Sequence, residues 1–388
     1  SYESVSDHNI VNRVVSYLGQ LDVSGFKEIL SNAELDQDKV NTRKFLNTTA
    51  NRGKSDTDLQ VLMLLIRAYI SLARTWGIRA KNLLSFTFDK VTWQGDSLVY
   101  EYHEKTGNQR FSKLALHADA NQCALMHLSQ YMALLNTLEI ECTYPFLIFT
   151  NGQMENRRKN SHRLIGSIVR ILFTHFGMED SSVLQKPLHF FRYYVRNQLE
   201  DLRVRTDDIA DYQTWQIRNS VMQNNYTDIK RRAMNNPAAL AIVGRSNGES
   251  HAPVYDFLDK IPQELIDMSP VPSLDPLMTK VFILSLVNCT YNYFESIVSH
   301  PAFAPFSKLI QSYMKRKQVS NAHTEAKTLK AMNQMNNDLQ TELAFREVGE
   351  RDLIKRIEEL ERENSNLKKR QREDTDDDTD PGSIMAEE

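Results

Sequence analysis

The chain has 388 residues, 41% of them hydrophobic and 25% charged, a balance that excludes collagen-like, mucin-like and wholly disordered proteins. Its net charge of −3 is unevenly spread, because Glu373, Asp374, Asp376, Asp377, Asp378, Asp380, Glu387 and Glu388 give residues 373–388 a charge of −8 and leave +5 on residues 1–372. No apolar run approaches the roughly 20 residues of a membrane helix, and the opening SYESVSDHNI lacks both the basic start and the apolar stretch of a secretory signal, so an intracellular protein with no membrane partner is expected. The mild basicity of residues 1–372 permits phosphate binding without demonstrating it. Cys123, Cys142 and Cys289 make no CxxC pair and leave an odd count, so neither a disulfide framework nor a zinc site is expected.

Residues 1–53 carry apolar spacings at Ile10, Val14, Val15 and Leu18, then at Phe26, Ile29 and Leu30. They predict two short helices, too little for a large domain of their own. A stronger helix is predicted from Asp56 to Trp76, with Ser55 as N-cap, Leu59, Leu62, Leu65, Ile66, Tyr69 and Leu72 on one face, and Gly77 as its end. The period then changes. Phe86, Phe88, Leu98, Tyr100, Tyr102, Phe111, Leu114 and Leu116 recur mostly every second residue across the turn segments Gln94-Gly95-Asp96 and Lys105-Thr106-Gly107-Asn108, which predicts a three-stranded antiparallel sheet. Helical periods return at about 119–138, 159–176, 188–202 and 207–226. Consecutive strands disfavour a parallel βαβ fold, and the expected class is mainly α with a small antiparallel sheet (α+β).

From Asn236 to Pro305 several prolines separate short apolar blocks, with Val271-Pro272-Ser273 as a linker before a helix at about 275–298, and an accessory helical domain is expected over 236–312. Beyond it Leu329, Met332, Asn336, Leu339, Leu343, Arg346, Glu350, Leu353, Ile357, Leu360, Asn364 and Leu367 fall alternately three and four apart, a coiled-coil seam within residues 313–372. The same pattern fits one long helix lying on its own protein. Asn336 and Asn364 both fall at a positions, which favours a two-stranded homodimer, while Arg346, Gly349 and Glu350 weaken the middle. Lys368-Lys369-Arg370-Gln371-Arg372 is similar to a nuclear localisation signal, and equally suits the negative end of a helix dipole. Residues 373–388 are expected to be an acidic, disordered tail.

Between Trp76 and Tyr226 the polar residues form an ordered set. Gly77-Ile78-Arg79-Ala80 puts an arginine just after the long helix, and Lys105 sits in the predicted hairpin. His189-Phe190-Phe191-Arg192 places two polar groups i, i+3 on one helix face, and Trp215 and Tyr226 follow 23 and 34 residues after Arg192. Each alone has an ordinary reading: a solvated arginine or lysine, a structurally satisfied histidine, a core tryptophan. In this order, Arg, hairpin Lys, HxxR, Trp or His, then Tyr, the chain resembles the tyrosine site-specific recombinases over about residues 55–230. Through the segment after Tyr226 and the C-terminal helical part, it is similar within that family to Crypton transposon recombinases and to the DNA-binding subunit of the budding-yeast centromere-binding complex.

The resemblance implies a recombinase-like catalytic and DNA-binding domain at 54–235, preceded by the helical segment 1–53. It implies metal-free and cofactor-free cleavage of double-stranded DNA, with Tyr226 as nucleophile, Arg79 and Arg192 on the non-bridging phosphoryl oxygens, and His189 handling the tyrosine proton. Lys105 would protonate the leaving oxygen, and Trp215 would position the phosphate or brace the helix that bears Tyr226. Lys230, Arg231 and Arg232 are expected to contact phosphate, or merely to aid solubility. Two departures stand out. The position three after Arg79, acidic in many members, is Asn82. Residues 1–53 are short for the usual N-terminal DNA clamp, so either the chain begins inside a longer protein or the accessory domain replaces part of that clamp. Tyr212, 20 residues after Arg192, is a rival nucleophile, and Tyr226 is preferred.

Two functional classes follow. One is a strand transferase that dimerises through the coiled coil and forms a tetramer on DNA. The other is a catalytically silent, centromere- or chromatin-type DNA-binding scaffold. Retention of the whole set of reactive residues favours the enzyme, and the coiled coil argues mildly against a type IB topoisomerase, which needs no partner subunit.

Overall fold

The computed structural model describes residues 2–50, 56–94, 97–103, 109–140, 142–147, 149–150, 153–154, 158–213, 236–245, 276–308, 310–311, 315 and 355–365. The chain divides into two units, Ser1–Met314 and Lys315–Glu388. Three helices open the first unit, where the apolar spacing predicts two: α1 (Tyr2–Gly19), α2 (Val23–Ser31) and α3 (Asp36–Ala50). Ile10, Val14, Val15 and Leu18 of α1 and Phe26, Ile29 and Leu30 of α2 are buried as expected. Asp22 caps α2 by accepting from the Gly25 N–H at 3.0 Å.

The unforeseen helix, α3, buries Phe45 in the core but has no continuous apolar stripe, and its Val40 is exposed. Polar groups do much of its docking. Arg170 Nη1 donates to the buried Asp38 carboxylate at 2.8 Å, and Asn41 Nδ2 donates to Ser167 Oγ at 2.8 Å. Such docking leaves no hydrophobic period for a sequence reading to find.

The long predicted helix is α4 (Thr57–Trp76), but the expectation of a single buried face is corrected. Every residue from Asp58 to Trp76 except Gln60 is buried, including Val61, Met63, Leu64 and Ile70 off the predicted stripe. A helix apolar on all sides is one enclosed by other elements. Here α1 and the later helices α6 (Ala124–Thr137) and α9 (Pro187–Asp201) pack around it. Its N-cap position is Asp56, which makes no side-chain capping bond, and Ser55 lies outside the described residues. Its end is Gly77, as expected, in the left-handed conformation at φ +59°.

A short helix, α5 (Ala80–Leu83), leads to the predicted sheet: β1 (Val91–Gln94), β2 (Ser97–His103) and β3 (Gln109–Leu114), antiparallel in that order, with Tyr100 opposite Val91 and Ser112. Phe88 lies in a 3-10 turn, Phe88–Lys90, and not in a strand, because the chain turns there to enter β1. The sheet is fastened to the end of α4. Trp76 Nε1 donates to the Lys113 carbonyl at 3.1 Å, and its ring stacks on Tyr100 with centroids 5.6 Å apart.

The helices predicted at about 119–138, 159–176 and 188–202 are α6, α7 (Arg158–His175) and α9, with a two-stranded hairpin, β4 (Phe149–Thr150) and β5 (Gln153–Met154), and a short α8 (Ser181–Gln185) between them. The helix predicted over 207–226 is described only as α10 (Thr206–Tyr212). After α11 (Ala238–Ala241), α12 (Pro276–Val298) buries Phe282, Ile283, Leu286 and Cys289 and packs on α6. Where it is described, the segment expected as an accessory domain therefore joins the core of the first unit. The architecture is mainly helical with a small antiparallel sheet. The three cysteines are free and buried, and no described helix is long and apolar enough to cross a membrane.

In the second unit residues 355–365 are helical, and its Ile357 and Leu360 are half exposed at 53% and 50%. The rest of the predicted coiled coil, the basic end and the acidic tail lie outside the described residues.

A group of bases is buried around α4. Arg67 donates to Gln130 Oε1, Arg74 donates to Asn12 Oδ1 at 2.5 Å and to the Gln122 carbonyl at 2.8 Å, and Ser71 Oγ lies 2.7 Å from His127 Nδ1. Burial, then the charges of Arg67 and Arg74, lower His127 well below its ordinary value. Burial and Arg74, partly offset by Asp119, bring His117 down to about 4, and burial and Arg67 bring His300 down to about 4. These histidines are neutral in the fold and take up protons on unfolding below pH 6.5, so stability falls as pH drops through that value. We expect a thermal midpoint that is level above about pH 7 and falls steadily between pH 6.5 and about 4, followed by circular dichroism. A midpoint level down to about pH 4.5 would show that these histidines are not held neutral.

Candidate nucleic-acid interface

The site begins with the residue that ends α4. A Cβ on Gly77 would lie 2.8 Å from Gln213 Nε2 and 3.0 Å from Val195 Cβ, so the chain there needs both a left-handed conformation and the absence of a side chain. This close approach sets Ile78, which is buried, and Arg79, which is exposed, beside α9. The first turn of α9 starts from Lys186 with Pro187 at its first position, where a missing N–H costs nothing. His189 and Arg192 therefore stand one turn apart on one face, as their spacing predicts.

Arg192 is only 8% exposed, and its Nη2 donates to the Gln213 carbonyl at 2.9 Å. Gln213 Nε2 donates back to the Arg192 carbonyl at 2.7 Å. The reciprocal pair ties the end of α10 to the middle of α9 and limits the freedom of the guanidinium.

These residues line a cleft of about 680 Å³. Arg79, Lys186, His189 and Arg192 form one wall; Gln37 and Asn41 of α3 with His162, Arg163, Ser167 and Arg170 of α7 form another. Of the described lining residues five are Arg or Lys and none is Asp or Glu. Arg170 is committed to Asp38, and it also donates through Nε to the Leu184 carbonyl. Burial, followed by Arg192, Lys186 and Arg79, lowers His189 below its ordinary value, so its imidazole is neutral and can accept a proton near pH 7. Three cations acting on one imidazole mark a positive potential, and the positive end of the α9 dipole adds to it. The chemistry this arrangement suits is the binding of phosphate oxyanions by guanidinium forks beside a neutral base.

Of the residues singled out in the sequence, Arg79, His189 and Arg192 come together here. Lys105, Trp215, Tyr226, Lys230, Arg231 and Arg232 lie outside the described residues. Tyr212 is described, and its position removes it as a nucleophile. Its hydroxyl is buried and donates to the Thr75 carbonyl at 2.7 Å, and burial pushes the phenol far above its ordinary range. The residues flanking the undescribed 214–235 are both anchored near α10: Gln213 to Arg192, and Asn236 through Nδ2 to the Asp208 carbonyl at 2.8 Å. Asn82, the departure after Arg79, is half-buried and its carbonyl accepts from Tyr100 Oη at 3.1 Å, bracing α5 on the sheet.

Sequence reasoning missed Lys186, His162, Arg163 and Asn41. Lys186 precedes a proline that signals a helix start, but nothing local distinguishes the others from a solvated helix face. No protein-family model matches the chain, and no curated protein matches it.

Gly77→Ala is expected to lower stability by at least about 1 kcal/mol, since it combines a strained φ with contacts on Gln213 and Val195. Urea unfolding measures this, and an unchanged midpoint would mean that the α4 end relaxes freely.

Proposed function

We propose that the chain is a DNA strand transferase of the tyrosine site-specific recombinase kind. The observation that carries the reading is the meeting of Arg79 with His189 and Arg192, more than a hundred residues away in sequence, in a cleft whose described lining holds no carboxylate. The two guanidinium groups would neutralise the non-bridging oxygens of one phosphodiester and stabilise the transition state. Tyr226 follows Gln213 by 13 residues, a tether of at most about 45 Å, ample for its hydroxyl to reach the cleft.

The reaction balances without a co-reactant. The Tyr226 oxygen bonds to phosphorus as the bond to the 5′ oxygen breaks; the phenol proton passes to His189 and Lys105 supplies a proton to the leaving oxygen. A 3′-phosphotyrosine holds the strand until a 5′ hydroxyl attacks and the steps reverse. Trp215 would brace the phosphate or the segment bearing Tyr226, and Lys230, Arg231 and Arg232 would hold the flanking backbone. The half-exposed Ile357 and Leu360, three apart on the helix of the second unit, support pairing of two chains there, with a tetramer on two DNA sites. The basic run at 368–372 would direct the protein to the nucleus.

Covalent trapping on nicked suicide duplexes, selected from genomic fragments for binding, tests the reading. The wild type and Tyr212→Phe should give a nuclease-sensitive shifted band on a denaturing gel. Tyr226→Phe should give none while its affinity stays within about threefold, or about 0.7 kcal/mol. Tight binding with no adduct from any of these proteins would assign the chain to the silent DNA-binding scaffolds instead. Deleting residues 323–388 should lower the association state in sedimentation, and an unchanged mass per particle relative to chain mass would rule out pairing through the seam.

A further inference from the structure

The cleft extends beyond the residues that strand transfer uses. Its lining, around a volume of about 680 Å³, includes residues of α3 and α7 for which strand transfer at one phosphate has no use. The same cleft is lined by α3 and α7, whose wall carries Asn41, His162, Arg163 and Ser167.

This second wall is built and braced. Asn41 Nδ2 donates to Ser167 Oγ at 2.8 Å and Asn41 Oδ1 accepts from Gln37 Nε2 at 3.4 Å, while the buried Asp38 and the partly buried Arg170 tie the two helices at 2.8 Å. Because Asp38 neutralises Arg170, and burial keeps His162 below its ordinary value and so neutral near pH 7, the net charge of this wall comes from Arg163. Lys186, at the start of α9, lines the same cleft. The wall is polar and cationic with no carboxylate among its described lining, which suits an anion and not an apolar segment.

We infer that the α3–α7 wall is a subsite for the backbone phosphate neighbouring the one held by Arg79 and Arg192, with Arg163 as its charge and Lys186 contributing from α9. The inference rests on the strand-transfer reading of the cleft. A strand held at one phosphate can pivot about it, whereas two seats fix its direction as well as its position, the task that phosphate contacts perform on a duplex. It also gives α3, a helix with no apolar stripe, a part in holding DNA from within residues 1–53.

The test is the salt dependence of binding by the full chain to the selected suicide duplexes. Arg163 is exposed, so Arg163→Gln should fold, which a thermal melt verifies. Its plot of log Kd against log salt should be shallower by about one, with the loss alike on all sequences, and Arg163→Lys should restore most of the slope. A neutral methylphosphonate next to the cleaved position should weaken the wild type but not Arg163→Gln, while one at the cleaved position should weaken both. An unchanged slope, or a loss confined to one base pair, overturns the second subsite and leaves strand transfer standing if the Tyr226 adduct still forms. A wild type that binds no duplex overturns both.

Discussion

Everything around the cleft depends on α4 being enclosed on all sides. Each large apolar side chain fully removed from water contributes about 1.5–3 kcal/mol, and α4 buries Leu59, Leu62, Leu65, Ile66, Tyr69, Leu72 and Trp76 together with the residues between them. A helix held that way has neither rotation nor translation to spare, so its last turn becomes a fixed reference point. Trp76 hangs the sheet on that point through Lys113 and Tyr100. Gly77 brings α9 and the end of α10 against it, and Arg79 inherits its place from the same turn.

The electrostatics of the first unit follow from placement and not from totals. A chain of net charge −3 contains a cleft whose described lining has cations and no acids. Its strongest feature is a guanidinium, Arg192, whose position is fixed by exchange of hydrogen bonds with Gln213. Preorganised donors of this sort need no rearrangement when charge develops on a bound phosphate, which is where electrostatic stabilisation is most effective. The neighbouring imidazole is kept neutral by burial and by the same cations that would hold the phosphate. Under the proposed function, one arrangement would serve both binding and proton transfer.

Much of this was legible in the sequence because it is written in periods. The 3.6-residue repeats of α4, α6, α7 and α9 and the two-residue alternation of β2 and β3 name their elements directly, and the HxxR spacing places His189 and Arg192 on one face. The enclosure of α4 was not legible as such, since a stripe of leucines looks the same whether or not the opposite side is also covered. Helix α3 was invisible because Asp38 and Asn41 dock it through polar contacts, and the packing of α12 on α6 is a tertiary fact. Spacing preferred Tyr226 to Tyr212, and the burial of the Tyr212 hydroxyl against Thr75, which spacing could not show, counts against Tyr212 as well. Lys186 and Arg163 were missed for the opposite reason: surface cations are common, and only the fold selects these two.

The pair that locks α3 to α7 also constrains how such a sequence can diverge. The Asp38 side chain is 2% exposed and that of Arg170 is 19%, and stripping one partner from a buried pair costs about 3–5 kcal/mol. A change at either position alone would then remove one of the contacts that hold α3 on α7. Positions 38 and 170 should accordingly be inherited as a couple, 132 residues apart. A related sequence that keeps an arginine at the second position without an acid at the first would carry one more uncompensated positive charge in its cleft.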